Sequence, residues 1–459
     1  MNEDTIAAIA TPVGSGGIGI IRMSGPESIN LVSGLFGRTT FRVDKEFVFE
    51  SHKMVHGYIF ERESGFVLDE VLVVAMMGPR SYTGEDVVEI QSHSGPFVMK
   101  TILHQVLLNG ARLAEPGEFT RRAFLNGRID LTQAESVADI INAKTAGSLK
   151  IAASQNTGAL RDLIENARNK LISLLAQVES AIDFPDETES LISLDQSADM
   201  LETVISICRR SIQRYEEAHF LRDGIKLVIC GAPNVGKSSL MNSLLERDRA
   251  IVTSVPGTTR DLLEENITIN GIPFLISDTA GLHQTDDLVE KIGIERAKKH
   301  IKEADLILYM KDSRPCDFEK DFAKIISFGR KIILVINKID LAENWKDTGF
   351  REKYREIPCI GVSALENRGI EALRQMITRE TASHIESSSS IVPNLRHKMA
   401  LEQALDRLVS ARNSLKNNVE AETLAIDIRE GADCLGMITG NTAGIDILDT
   451  IFKNFCIGK

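Results

Sequence analysis

No run of about 18 apolar residues occurs anywhere in the chain, which excludes a membrane-spanning helix. Positive charge is in deficit. Lys and Arg number 53 against 65 Asp and Glu, a net charge of −12. Broad, sequence-blind nucleic-acid binding needs a positive field to release counterions, so this balance argues against it. Arg121-Arg122 with Arg128 could form a local basic patch, but on charge alone it reads as a solvated face. The six cysteines, Cys208, Cys230, Cys316, Cys359, Cys434 and Cys456, form no CxxC pair. Thiols scattered in this way are usually reduced. Cys230 and Cys359 sit in apolar runs and read as core. The start, Met1-Asn2-Glu3-Asp4, is acidic and leads straight into the strand-like Thr5–Ile9. It lacks the basic beginning and apolar run of a signal peptide and the Arg-rich make-up of a transit peptide. The expected location is the cytoplasm of a bacterium.

What is present is ordinary globular material: 459 residues, 43% hydrophobic and 26% charged, enough for about three domains with a core in each. Residues 1–120 mix short β-like runs (Ile18–Ile21, Val71–Val74, Val87–Ile90) with Gly-rich turns and one helical pattern at Pro96–Leu108, an α+β domain. Residues 121–221 change to long amphipathic helices. Leu160, Ile164, Ala167, Leu171, Leu174 and Val178 alternate spacings of four and three and so share one helical face, as do Leu201, Ile205 and Cys208. Both stripes read as core packing, separated by the break at Phe184-Pro185-Asp186. Residues 222–382 alternate strands and helices, the pattern of a mainly parallel sheet covered on both faces. The strand candidates are Lys226–Cys230, Ile272–Ser277, Leu306–Tyr309, Ile332–Ile336 and Cys359–Val362. Ser387–Ser390 reads as a linker, and residues 383–459 return to helix after Pro393. The flanking helices are either one domain interrupted by the α/β segment or two unrelated pieces, and periodicity leaves both open.

The α/β segment carries the chemistry. Gly231-Ala232-Pro233-Asn234-Val235-Gly236-Lys237-Ser238 matches GxxxxGK[ST], with a strand before it and the helical run Ser239–Leu245 after it. Glycines let backbone N–H groups wrap phosphates, the lysine reaches the β- and γ-phosphates, and the Ser238 hydroxyl suits Mg²⁺. Asp278-Thr279-Ala280-Gly281 ends a strand, where the Asp would hold Mg²⁺ through water and the Gly N–H would sense the γ-phosphate. Asn337-Lys338-Ile339-Asp340 also ends a strand. Its Asp340 can accept from the N1 and N2 donors of guanine, a pattern adenine lacks, and Ser363-Ala364 supports the base from the other side. Between the first two motifs, Gly257-Thr258-Thr259-Arg260-Asp261 offers a switch threonine, Thr259, to close over Mg²⁺, with Thr258 near the γ-phosphate. Four motifs in this order predict GTP rather than ATP. The predicted GTP-contacting set is Asn234, Val235, Gly236, Lys237, Ser238 and Ser239; Thr253, Ser254, Val255, Pro256, Gly257, Thr258 and Thr259; Asp278, Thr279, Ala280 and Gly281; Asn337, Lys338 and Asp340; Ser363 and Ala364.

One expected residue is missing. Ras-like GTPases orient the attacking water with a Gln directly after DxxG, and here that position is Leu282. Hydrolysis therefore needs another water-positioning group and another source of positive charge. Glu290, in the acidic stretch Asp286–Glu290, is a candidate for the first role, although on sequence alone an ordinary solvated acid is the plainer reading.

At this point the residues resemble a family over the whole length. Ala10-Thr11-Pro12 with Gly16-Gly17-Ile18-Gly19-Ile20-Ile21-Arg22, Tyr82-Thr83-Gly84-Glu85-Asp86, Pro116-Gly117-Glu118-Phe119-Thr120, Ala123–Gly127, Ala181–Glu187 and the closing Cys456-Ile457-Gly458-Lys459 look like the motifs of the bacterial tRNA modification GTPases called MnmE or TrmE. The resemblance implies a multidomain fold: an N-terminal α+β folate-binding domain, an α-helical domain in two segments and an inserted α/β P-loop GTPase domain. It implies a homodimer joined through the N-terminal domains and a partner flavoprotein, MnmG, in a heterotetramer that acts on tRNA. The reaction adds an aminomethyl or carboxymethylaminomethyl group to C5 of the wobble uridine, position 34. The carbon would come from a tetrahydrofolate derivative in its 5,10-methylene or 5-formyl form. The matching folate positions are Arg22, Glu89, Arg128 and Lys459, where basic residues suit a glutamate tail and a carboxylate suits pterin N–H groups. The resemblance also implies GTP-loaded G domains that dimerise with K⁺. Asn234, Thr253, Val255 and Thr258 would hold the K⁺, Ser238 and Thr259 the Mg²⁺, and Glu290 would position the water. Cys456, a near-terminal thiol close to the one-carbon donor, is a nucleophile candidate, but only Lys453 and Lys459 lie near in sequence to lower its pKa, so it reads as a packed or half-exposed thiol outside the catalytic set. An Era-like switch GTPase of ribosome assembly shares the G-domain motifs. No KH-type RNA clamp is evident in this chain, and the chain is acidic.

Overall fold

A computed structural model describes residues 4–12, 14, 16–184, 194–246, 264–278, 299–313, 318–342, 354–382, 391–417, 419–453 and 455–458. The chain divides into two compact units: Met1–Ala138 with Gln155–Ile205 and Gln403–Lys459, and Asp139–Ser154 with Ser206–Glu402.

The first unit is built on a seven-stranded sheet of β1 (Ile6–Ile9), β2 (Gly19–Ser24), β3 (Phe36–Gly37), β4 (Met54–Phe60), β5 (Val67–Met76), β6 (Val87–Ser92) and β7 (Arg112–Leu113) in the order β3-β4-β5-β6-β2-β1-β7. Every pairing is antiparallel except β1 with β7. One face of the sheet is core. Ile21 and Met23 of β2, Val71, Val73 and Ala75 of β5 and Val88 and Ile90 of β6 alternate inward onto the helix Pro96–Leu108. That helix starts with proline in its first turn, where a missing N–H costs nothing, and it buries Met99, Ile102 and Val106 at helical spacing.

Helical segments from both sides of the α/β stretch pack in this same unit. In the helix Ala159–Asp183 the stripe Leu160, Ile164, Ala167, Leu171, Leu174 and Val178 is wholly buried, each leucine contributing about 1.5–3 kcal/mol. The helix packs on Ala421–Thr439, and Glu165 accepts hydrogen bonds from Thr439 and Asn441, both at 2.7 Å. Arg429 pairs with Glu179, and Arg412 with Glu202 at 3.0 Å.

The expected solvated face at Arg121-Arg122 is corrected here. Arg122 is buried and meets Asp4 at 2.8 Å and Glu85 and Glu118 at 3.1 Å each. Arg121 turns to Asp449 at 3.1 Å, while Arg128 is exposed. The helix Glu118–Leu125 sets this division, because residues one apart point to different faces.

The second unit holds a six-stranded sheet of β8 (Ile225–Gly231), β9 (Glu264–Ile269), β10 (Ile272–Asp278), β11 (Leu306–Asp312), β12 (Lys331–Asn337) and β13 (Cys359–Gly361) in the order β13-β12-β11-β8-β10-β9. All neighbours are parallel except β9 with β10. Every residue of β11 is buried, as a strand covered on both faces must be. The strands read from the sequence are all in this sheet. β9 is an addition, since its polar start Glu264-Glu265-Asn266 hides the period. The Asn270-Gly271 turn, with both residues at positive φ, is the hairpin signal that betrays it. Cys230 is core as expected, and burial pushes its thiol up to about 12. Cys359 is only half-buried because β13 is an edge strand. Ser387–Ser390 and Cys316 lie outside the described residues, and the helix expected after Pro393 runs Leu395–Lys416.

Candidate functional site

In the second unit, β8 delivers the chain into the phosphate-loop motif and the helix Lys237–Glu246 leaves it. The loop depends on backbone that side chains would spoil. Gly231 has φ +145° and Gly236 φ +96°. A Cβ on Gly231 would run into the Met310 carbonyl, and one on Gly236 into the Asn337 amide. The Lys237 side chain is buried, and its Nζ donates to the carbonyls of Gly231 at 3.0 Å and Ala232 at 2.9 Å. Its ammonium therefore lies in the curve of the loop. Val235 is buried, while Asn234, Ser238 and Ser239 are exposed. The first turn of the following helix adds backbone N–H groups with no intrahelical acceptor, the ready anion site of a helix start.

The Asn337–Asp340 motif arrives at the same edge. β12 ends at Asn337, whose buried amide makes two contacts. Nδ2 donates to the Val235 carbonyl at 2.8 Å, and Oδ1 accepts from the Ala364 N–H at 3.1 Å. Lys338 Nζ donates to the Asn234 carbonyl at 2.8 Å. Asp340 follows, half-buried, on the single turn Ile339–Leu341. The Ile339 N–H reaches the Val362 carbonyl at 3.2 Å, and the Ser243 hydroxyl donates to the Ala364 carbonyl at 2.9 Å. Ser363 and Ala364 are thereby fixed beside the phosphate loop. Asp278 ends β10, paired in register with Ile229 of β8, so its backbone also reaches this edge. All these strand ends are carboxyl ends of one parallel sheet, where ligands of open α/β sheets sit.

Thr253, Ser254, Val255, Pro256, Gly257, Thr258 and Thr259, then Thr279, Ala280, Gly281, Leu282 and Glu290, lie outside the described residues. Sequence reasoning missed Asp312 and Ser313. The apolar run carries the expected strand only to Tyr309, whereas β11 continues to Asp312. Asp312 Oδ2 is 3.1 Å from Lys338 Nζ, and the Ser313 hydroxyl donates to the Lys338 carbonyl at 2.7 Å. The polar run Lys311-Asp312-Ser313 directly after the apolar Leu306–Met310 was the available signal.

In the first unit, Arg22 of β2 and Glu89 of β6 are direct cross-strand partners. Arg22 Nε and NH2 both lie 2.8 Å from Glu89 Oε1, and NH1 donates to the Gly458 carbonyl at 3.3 Å. The guanidinium also lies over the rings of Tyr82 at 5.7 Å and Phe119 at 5.8 Å, two contacts sequence reasoning did not anticipate. The C-terminal tail is held against this unit. The Gly117 N–H reaches the Cys456 carbonyl at 3.4 Å, and Gly458, at φ +93°, lies so close to Ile9 that a Cβ would come within 2.5 Å of its carbonyl oxygen. Arg128 makes no hydrogen bond or ion pair with Arg22, Glu89 or the tail among the described residues, and Lys459 lies outside them. The Cys456 thiol is exposed, not packed or half-exposed as expected.

Comparison with known proteins covers both regions. Residues 5–128 match the family described as GTP-binding protein TrmE N-terminus, and residues 131–456 match the MnmE helical domain. The tRNA modification GTPase MnmE of Carboxydothermus hydrogenoformans is 44% identical over 467 residues, covering 100% of both chains. That of Acetivibrio thermocellus is 43% identical, covering 100% of this chain and 99% of its own. Among solved structures, Aquifex aeolicus Era is 28% identical over 40% of this chain and 66% of its own, with a TM-score of 0.28, too loose a likeness to bear on function. The full-length matches, taken with the motifs brought together at the two sheets, show that the chain belongs to the tRNA modification GTPase MnmE family.

Proposed function

We propose that the chain is the GTP-hydrolysing component of the machinery that installs an aminomethyl or carboxymethylaminomethyl group at C5 of wobble uridine in tRNA. The observation that carries the nucleotide part is the Asn337 amide, which ties Val235 of the phosphate loop to Ala364 of the base-supporting turn in one clamp. The cradle fits a polyphosphate, because glycine stands at the two positions where a Cβ would strike the backbone or the clamp. Lys237 leaves the loop carbonyls for the β- and γ-phosphates, and Asp340 accepts from guanine. Ser238 and Thr259, both with hydroxyl oxygens suited to a hard cation, would hold Mg²⁺, which would supply charge neutralisation at the phosphates. Leu282 cannot orient a water, so Glu290 takes that role. Asn234, Thr253, Val255 and Thr258 offer oxygens to a K⁺ ion that supplies the charge of an arginine finger.

The reading extends to the rest of the chain. The domains run 1–120, 121–221, 222–382 and 383–459, with the G domain inserted into a helical domain. The packing of Ala159–Asp183 on Ala421–Thr439 supports that arrangement. Arg22 and Glu89, with the tail beside them, fit a tetrahydrofolate derivative. The guanidinium suits its carboxylates and the carboxylate its N–H groups, while Arg128 and Lys459 complete the set. The chain works as a homodimer with the flavoprotein MnmG, in the cytoplasm. The test is the mass of wobble uridine in tRNA from a strain lacking the gene. Loss of the modification is expected, and unmodified mass in the parent strain as well would remove the reading. GTP turnover of the purified protein is expected to be faster in K⁺ than in Na⁺, and equal rates would remove the potassium role.

A further inference from the structure

Asp312 and Ser313 belong to no nucleotide motif, yet both grip the guanine-reading segment. The buried carboxylate of Asp312 lies 3.1 Å from Lys338 Nζ, and the same ammonium donates to the Asn234 carbonyl at 2.8 Å. Ser313 donates its hydroxyl to the Lys338 carbonyl at 2.7 Å and its N–H to the Asn337 carbonyl at 2.9 Å. Both ends of Lys338, ammonium and carbonyl, are thus held from the end of β11.

Lys338 and Asn234 each have φ of +61°, a left-handed conformation that side-chain-bearing residues keep only where the surroundings impose it. One ammonium joins these two positions. A lysine ammonium is a strongly hydrated charge on a flexible stem, and a carbonyl alone competes poorly with water for it. A carboxylate that is only 12% exposed competes well, because the bond is charge-assisted and poorly solvated.

We propose that Asp312 is a positioning residue for nucleotide retention: by keeping the Lys338 ammonium on the Asn234 carbonyl, it ties the base-reading turn to the phosphate loop. The proposal rests on the GTP-binding reading above. Removing the carboxylate charge frees the ammonium to water, so the turn that carries Asp340 and the loop that carries Asn234 loosen together. Nucleotide leaves faster, and the chemical step is largely spared.

The experiment is stopped-flow release of a fluorescent N-methylanthraniloyl GDP from the full-length protein. Asp312→Asn keeps the shape and removes the charge. It is expected to speed release about tenfold and to raise KM for GTP by a similar factor, with kcat changed less than about twofold, the loss of one charge-assisted contact. Lys338→Met removes the ammonium and keeps the stem. The double variant is expected to release no faster than Lys338→Met alone, because the proposed tether runs through that ammonium. Release from Asp312→Asn at the wild-type rate, or a double variant showing the product of the two single effects, would overturn the proposal. Failure of the wild type to bind the labelled nucleotide would remove the GTP-binding reading and this inference with it.

Discussion

The two candidate sites are built in opposite ways. The nucleotide edge of the second unit uses the ends of parallel strands: β8, β10, β12 and β13 all stop on one side, and the loops beyond them meet. The Arg22–Glu89 site of the first unit uses the face of an antiparallel sheet, where the pair forms because β2 and β6 lie in that register. A parallel sheet gathers contiguous loop motifs, and each motif keeps its meaning when read alone. An antiparallel face gathers single residues from distant positions, here 22, 89 and 458, and none of them means much alone. The lesson is that legibility follows topology rather than importance.

The comparison predicts independent failure of the two sites, and the largest effect should come from the phosphate loop. Lys237→Ala removes a buried ammonium that the loop carbonyls hold at 2.9–3.0 Å. Nucleotide affinity by fluorescence titration is expected to fall at least about a hundredfold, with folate binding unchanged. A parallel loss of folate binding would break the separation between the regions.

The next effect is on stability. Arg122→Met leaves the carboxylates of Asp4, Glu85 and Glu118 facing an apolar side chain. Glu118 is buried but Asp4 and Glu85 are partly exposed, and Arg112 still pairs with Asp4 and Glu118, so the loss costs about 1–2 kcal/mol. The first unit is expected to melt earlier in calorimetry, and an unchanged melting profile would show that the network contributes nothing.

A smaller effect tests the sheet face. Glu89→Gln removes the charge that orients Arg22 across the strands. Tetrahydrofolate affinity by calorimetric titration is expected to drop about tenfold while GTP turnover stays at the parent rate. Unaltered folate binding would take Glu89 out of the site.

The smallest effect is a pH dependence. Burial alone would raise the carboxyls of Asp4 and Glu118, but the Arg112 and Arg122 guanidiniums outweigh it and hold both below the ordinary carboxylate range. A depressed folded pKa means the charged form favours folding. The contribution is complete above about pH 5 and is lost as the pH falls through the depressed values. The first unit is therefore expected to lose stability on acidification, and Glu118→Gln should flatten that slope. A slope unchanged by the substitution would assign the acid sensitivity to other groups.

Much of the fold is legible in the residues alone. The stripe Leu160 to Val178 is buried as its spacing requires, the helix at Pro96–Leu108 has those ends, and the five strand candidates of the α/β segment are all in one sheet. Arg122 escapes such a reading because a basic pair in sequence carries no record of which residue turns inward. β9 escapes it because its polar start, Glu264-Glu265-Asn266, masks the alternation in the sequence.

The sequence by itself determined the nucleotide chemistry, because its motifs are local. A loop that must bend around phosphates needs glycine at Gly231 and Gly236 and a lysine directly after, and such requirements are written residue by residue. Only the tertiary structure decided which partners those residues have. That Asn337 clamps Val235 to Ala364, that Lys338 answers to Asp312, and that the Gly458 carbonyl meets Arg22 from 436 positions away all depend on strand order and register. Those are set by burying every apolar face at once, a condition on the whole chain that no short stretch of it contains.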